Sequence, residues 1–211
     1  MERSEPAVDR RAGEPGPLAR AGLFPVGRRR AVVAVAVALA VVVAGAWLVG
    51  DGQPRAGEVA LVEWWNGLPA VVGWPLRAVM QLGTLVAGVA ALVVAAWWCR
   101  RAGMLAPAAL LVSVALAFRL DNVIKDVVER PRPWDVVPDV VVRDSVGGYA
   151  YPSGHTTMAV AIVAALHPVL PRPARRVAWA LAALTALARL HVAAHWPLDL
   201  VGGAALGVAI A

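Results

Sequence analysis

From Ala31 to Gly50 the chain runs for twenty residues without one charged side chain. At a rise of about 1.5 Å per residue, a helix of that length matches the roughly 30 Å apolar thickness of a bilayer. Further apolar runs follow at about Leu76–Trp98, Met104–Leu120, Thr156–Leu170, Val177–Leu190 and Leu198–Ala211. With 60% hydrophobic and 16% charged residues, the chain lies far from a soluble domain, which carries about 25% charge. That excludes an ordinary soluble fold, and disorder over most of the length. The expectation is an all-α, polytopic membrane protein, a six-helix transmembrane bundle. The last run is shorter than the roughly 20 residues a spanning helix needs, so it either crosses a thin region or continues past Ala211.

The basic residues orient this bundle. A net charge of +6 would suggest nucleic acid in a soluble protein, but here the arginines cluster between apolar runs. With the N-terminus inside, Arg28–Arg30, then Arg100 and Arg101, then Arg172, Arg175 and Arg176 all fall on the inner side, as the positive-inside rule requires. The outer connections are residues 51–75, about 121–155, and 191–197. Trp47, Trp97, Trp98, Trp179 and Trp196 stand near run ends and fit interfacial belts. Residues 1–30 are expected to form a disordered, basic cytoplasmic tail and residues 31–211 one membrane domain, with both termini cytoplasmic. A signal peptide competes for the first run, since Ala44-Gly45-Ala46 resembles a cleavage site; the run exceeds the usual core of about 7–15 residues, which favours an uncleaved anchor. Glu63-Trp64-Trp65-Asn66 suggests a short amphipathic segment in the interface, or one packed on the bundle. The single Cys99 forms no intramolecular disulfide and does not report the redox compartment. Composition rich in Ala, Val and Arg points to a high-GC bacterial genome, and oligomeric state is not readable.

Three elements carry chemistry. Lys125 is the only lysine, and Arg132 follows seven positions on, in Arg130-Pro131-Arg132-Pro133. An ammonium and a guanidinium flanking a rigid turn can hold a doubly charged oxyanion. The second element is Tyr151-Pro152-Ser153-Gly154-His155. Ser153 suits an N-cap, Gly154 lets a ligand approach the backbone, and the helix start favours an anion. His155, in the first turn, can give or take a proton near neutral pH. The third is Arg189, His195 and Asp199, with Pro197 opening the last helix. The i to i+4 spacing lets Asp199 receive an imidazole N–H, fix the tautomer and leave the other nitrogen nucleophilic. A carboxylate in an apolar helix is costly unless paired.

Together these elements resemble the phosphatidic acid phosphatase type 2 superfamily, which also includes vanadium haloperoxidases. Its three-part pattern reads K-x6-RP, PSGH and SR-x5-H-x3-D. The parts here are Lys125 with Arg132-Pro133, then Pro152-Ser153-Gly154-His155, then Arg189, His195 and Asp199. They span residues 125–199, and Ala188 replaces the pattern's serine. The resemblance implies that His195 is the nucleophile forming a phosphohistidine, oriented by Asp199. It implies that His155 protonates the leaving oxygen and then activates water. Lys125, Arg132, Ser153, the Gly154 amide and Arg189 would hold phosphate oxygens. No cofactor is expected, and no metal, since no acidic or His/Cys cluster has ligand spacing.

The resulting expectation is an extracytoplasmic-face lipid phosphatase acting on polyprenyl diphosphate, phosphatidic acid or phosphatidylglycerol phosphate. A lipid phosphotransferase of the same fold is the alternative. A non-catalytic anion transporter would need a polar path, and the runs offer little beyond Gln81, Thr84, Ser113 and Thr185. A catalytically dead scaffold is opposed by the intact His155, His195 and Asp199. His191 reads as structural or supporting, and His167 as interfacial packing. Arg130 reads either as a phosphate contact or as a partner of Asp126 or Glu129, and Arg119 as a local partner of Asp121. The orientation is testable: in intact cells Val142→Cys should react with an impermeant thiol reagent and Pro173→Cys should not. The opposite pattern inverts the topology.

Overall fold

The computed structural model describes residues 27–99, 105–144 and 147–211, and every regular element among them is helical. The helices are α1 (Arg28–Val49), α2 (Ala56–Asn66), α3 (Ala70–Met80), α4 (Leu85–Cys99), α5 (Leu105–Val128), α6 (Pro133–Val136), α7 (Gly154–Leu166), α8 (Arg172–His191) and α9 (Pro197–Ile210). Most of the expected tail, residues 1–26, and the Arg100–Arg101 cluster lie outside the described residues. Arg28–Arg30, expected in that tail, form the first turn of α1.

The bundle is built around α7. Beyond its first turn this helix is apolar on nearly every side, and it is buried from Thr156 to Ile162. A helix without a polar face has to be enclosed, and α5, α8 and α9 pack around it. Leu110, Val114 and Ala117 of α5 meet Met158, Ala161, Ile162 and Ala165 of α7 in its largest apolar contact. In contrast, α1 lies outermost against α9, with Val33, Val37, Val43 and Trp47 turned outward. So much outward apolar surface suits lipid rather than water.

One aromatic ring fastens α1 to the rest. Tyr151, fully buried, donates its hydroxyl to the Val42 carbonyl at 2.7 Å. The ring fits because glycines flank it: a Cβ on Gly45 would collide with the Tyr151 hydroxyl, and one on Gly202 would stand 2.5 Å from the ring. The run expected as a single span from Leu76 to Trp98 is instead broken. α3 contains Pro75, ends in a 3-10 turn at Gln81–Gly83, and meets α4 at a 62° bend. Thr84 fixes the break: its hydroxyl donates to the Gln81 carbonyl at 2.7 Å and accepts from the Ala87 amide at 3.2 Å. A side-chain cap competes with continued helix, which the apolar pattern alone does not reveal.

Among the described residues, α1 and the α5–α6 segment are long and apolar enough to cross a bilayer, and the bent pair α3–α4 makes a third span if taken as one. α7 and α9 are apolar but shorter. The expected amphipathic segment is α2. Its Asn66 donates to the carbonyls of Val141 and His191 at 2.9 Å each and accepts from the Val141 amide at 2.8 Å. This ties α2 to the 137–153 connection and to α8, so it is packed on the bundle while Trp64 stays exposed. Overpacking at a clamped ring costs about 1–3 kcal/mol. Gly202→Ala should therefore lower the thermal midpoint in detergent by several degrees, whereas Gly57→Ala, whose Cβ meets nothing within 4 Å, should not.

Candidate active site

The site forms where four chain segments end at one level of the bundle. Lys125, in the last turn of α5, extends its ammonium to the Asp121 carboxylate one turn earlier, 2.6 Å away. The start of α7 comes directly onto this pair. A Cβ on Gly154 would collide with the Asp121 carboxylate and stand 3.1 Å from the Lys125 Nζ, so only glycine lets the helix start so close to the cation. Ser153 occupies the N-cap position but makes no side-chain cap bond; its hydroxyl instead accepts from Thr156 at 3.1 Å. The Ser153 amide donates to the Asp199 carbonyl at 3.0 Å, docking this turn on α9. His155, half-buried, follows in the first turn of α7.

Arg132 is held by backbone. Its guanidinium donates to the carbonyls of Gly147, Gly148, Tyr149 and Ala194 at 2.7–3.1 Å and stacks over Trp134 at 5.2 Å. One terminal nitrogen, Nη1, also lies 3.4 Å from His195 Nε2. Arg189, buried near the end of α8, pairs with Asp144 at 2.6 Å and touches the Met80 sulfur at 2.9 Å. Its Nε is buried with no hydrogen-bond partner.

His195 lies in the connection between α8 and α9. The expected Asp199 contact is indirect: His195 Nδ1 is 2.8 Å from the Ala150 carbonyl and 3.6 Å from Asp199 Oδ2. A carbonyl can only accept, so Nδ1 carries the proton, and the Nε2 lone pair faces Arg132. Asp199 spends its oxygens elsewhere, accepting from the Trp196 amide at 2.7 Å and from Arg130 at 2.6 Å. The His195 pKa is lowered well below its ordinary 6.5, first by burial, then by the charges of Arg189, Arg132 and Lys125. The imidazole is therefore neutral at physiological pH, the form with a lone pair to give.

All eight residues singled out in the sequence thus meet at one place. Arg130 corrects the sequence reading: fully buried, it pairs with Asp199 and with Glu58 of α2, at 2.6 Å each, and not with Asp126 or Glu129. Asp121 takes Lys125 as partner, not Arg119. His191 donates Nδ1–H to the Trp65 carbonyl at 3.0 Å while its Nε2 is buried without a hydrogen-bond partner, and His167 accepts from Trp179 at 3.1 Å. Sequence reasoning missed Glu58, Asp144 and the Ala150 carbonyl. The Asp121–Lys125 spacing of four could have revealed that pair; nothing local marks the others. Among the described residues, no group of three or more His, Cys, Asp or Glu could hold a metal ion.

A family model of the PAP2 superfamily matches residues 106–211, half of the chain and every residue of the three-part motif. The chain belongs to the PAP2 superfamily. An undecaprenyl-diphosphatase of Sulfolobus acidocaldarius is 33% identical over 103 residues, 46% of this chain and 48% of that protein. The chain thus spans about half the length of that curated relative. Aquifex aeolicus LpxE has the same fold, with a TM-score of 0.68 and 21% identity, over 75% of this chain and 94% of the other. So does a PAP2-type phosphatidylglycerolphosphate phosphatase of Bacillus subtilis, with a TM-score of 0.67 and 20% identity, over 83% and 91%. The match places the PAP2 core in α5–α9 and leaves α1–α4, with Glu58, before it. Because Lys125 is wedged between Asp121 and Gly154, the planar fork of arginine cannot take the same position as the ammonium. Lys125→Arg should weaken orthovanadate binding by about tenfold or more, about 1.4 kcal/mol, in protein that remains helical by circular dichroism.

Proposed function

We propose that this PAP2 protein is an integral-membrane lipid phosphatase that hydrolyses a phosphate or diphosphate monoester through a phosphohistidine on His195. The observation that carries the reading is the imidazole itself: Nδ1–H is fixed on Ala150, and the Nε2 lone pair is aimed at Arg132 inside a cationic pocket. In the first step Nε2 attacks the terminal phosphorus and the bond from that phosphorus to the leaving oxygen breaks, while His155 in its protonated form gives that oxygen a proton. This releases the lipid alcohol from a monophosphate or the lipid monophosphate from a diphosphate. In the second, His155 takes a proton from water, the hydroxide attacks phosphorus, and the bond to Nε2 breaks. Lys125, Arg132, Arg189, Ser153 and the Gly154 amide hold the phosphate oxygens as charge builds. Those donors stand where a metal ion would otherwise act, so the reaction proceeds without one.

An apolar groove supports a lipid substrate. A cavity of about 450 Å³ runs between α4, α7 and α8, lined by residues such as Leu82, Ala91, Ile162, Leu166 and Leu181. It begins at the 3-10 turn, where Gly83 lies against the backbone of His155. From His155 to Leu166, α7 extends about 16 Å along it. The likeness to an undecaprenyl-diphosphatase favours polyprenyl diphosphate among the lipid classes. The arginine clusters support six crossings with cytoplasmic termini and an extracytoplasmic site.

The test is phosphate release from polyprenyl diphosphate, phosphatidic acid and phosphatidylglycerol phosphate, with EDTA present throughout. Strict dependence on added magnesium overturns the metal-free route. His195→Ala should abolish turnover of every substrate. His155→Ala should lose about 10²–10⁴-fold on a lipid monophosphate, the usual contribution of general acid–base catalysis. On p-nitrophenyl phosphate, whose leaving group needs no proton, that variant should give a burst near one p-nitrophenolate per enzyme and then turn over slowly. A burst in His195→Ala means the roles are assigned wrongly.

A further inference from the structure

Glu58 lies in the first turn of α2, outside the matched PAP2 segment, and is 6% exposed. Its Oε2 is 2.6 Å from Arg130 Nη2, and its Oε1 accepts from the Leu198 amide at 3.1 Å in the first turn of α9. Arg130, stacked over Trp196 at 5.5 Å, gives its other terminal nitrogen to Asp199. One guanidinium therefore sits between two carboxylates, and the buried group carries one net negative charge. With Asp199 alone, Arg130 would cancel the carboxylate, leaving His195 little to stabilise a developing positive charge. The charges nearest His195 are the cations Arg189, Arg132 and Lys125, beside His155, and the carboxylates Asp144, Asp135 and Asp121 stand behind them.

We propose that Glu58 is a positioning residue of the phosphatase site, which through Arg130 keeps the charge of Asp199 available to His195 and through Leu198 fixes the start of α9. This rests on His195 being the nucleophile. Phosphorylating Nε2 makes the imidazole cationic, and the net charge of Glu58, Arg130 and Asp199 balances it. Glu58 touches no substrate, so its removal acts on kcat and not on KM.

The experiment is a pH profile of kcat and kcat/KM in the full-length protein with one lipid substrate, so that substrate ionisation cancels between variants. Glu58→Gln keeps the shape and removes the charge. It should lower kcat about tenfold, about 1.4 kcal/mol, with KM within about twofold. The acid limb should move down by about half a pH unit, less than the one to three units of a directly contacting carboxylate. Glu58→Asp should return the limb to its wild-type position even at a lower melting temperature. Arg130→Gln, which removes the cation, should move the limb the other way, toward higher pH. An unmoved limb in Glu58→Gln, a limb left displaced in Glu58→Asp, or the same direction of shift for Glu58→Gln and Arg130→Gln overturns the proposal. Turnover surviving in His195→Ala, or no phosphate release by the wild type, overturns the phosphatase reading and this inference with it. A silent His195→Ala beside an unmoved Glu58→Gln overturns this inference alone.

Discussion

Arg130 has no solvent-accessible surface, so its charge must be answered within the protein. A buried guanidinium left without partners costs several kcal/mol, and a pair is tolerated only when geometry and remaining hydrogen bonds are satisfied. Here both terminal nitrogens are answered from two distant helices, while Nε is buried without a hydrogen-bond partner. Glu58 approaches from α2 and Asp199 from α9, and each carboxylate also accepts a backbone amide at a helix start. The turn between α5 and α6, the first turn of α9 and helix α2 cannot be placed independently once this cluster has formed. His195 precedes α9 by two residues and inherits that placement.

The same economy of charge extends across the pocket. Lys125 is held by Asp121, Arg189 by Asp144, and Arg132 by four carbonyls. Cations crowded without counter-groups would repel one another and swing apart. Held in this way, they stay converged on His195 and a negative charge brought among them would need little reorganisation. The carbonyl cage around Arg132 also orders the 147–149 segment, which carries Ala150 to the imidazole. Orientation of the His195 imidazole and placement of Arg132 therefore share a single piece of backbone.

Much of this was legible in the sequence because the chemistry is written in local spacings. Helix α1, which follows the Ala31–Gly50 run to Val49, and the motif at Arg189, His195 and Asp199 are legible as an apolar run and a fixed spacing. What escaped were contacts between segments far apart in the chain. Glu58 reaches Arg130 across 72 positions, and no local pattern encodes that distance. Ala150 displaced Asp199 as the direct partner of His195 because a backbone carbonyl leaves no trace in residue types. The bend at Gln81–Gly83 was hidden because Thr84 reads as one tolerable polar residue in an apolar run, while its hydroxyl competes for the backbone.

The buried ring of Tyr151 bears on the fate of the first helix. It stands one residue from Ala150 and three before the start of α7, and its hydroxyl donates to the Val42 carbonyl of α1. The small-residue stretch Ala44–Ala46, which resembles a leader-processing site, forms part of the wall against that ring. A protease cutting there would strip the ring of its acceptor and open its socket to lipid, beside the strand of backbone that holds the imidazole. In this architecture the first helix is a wall of the site, and its loss would be felt at His195.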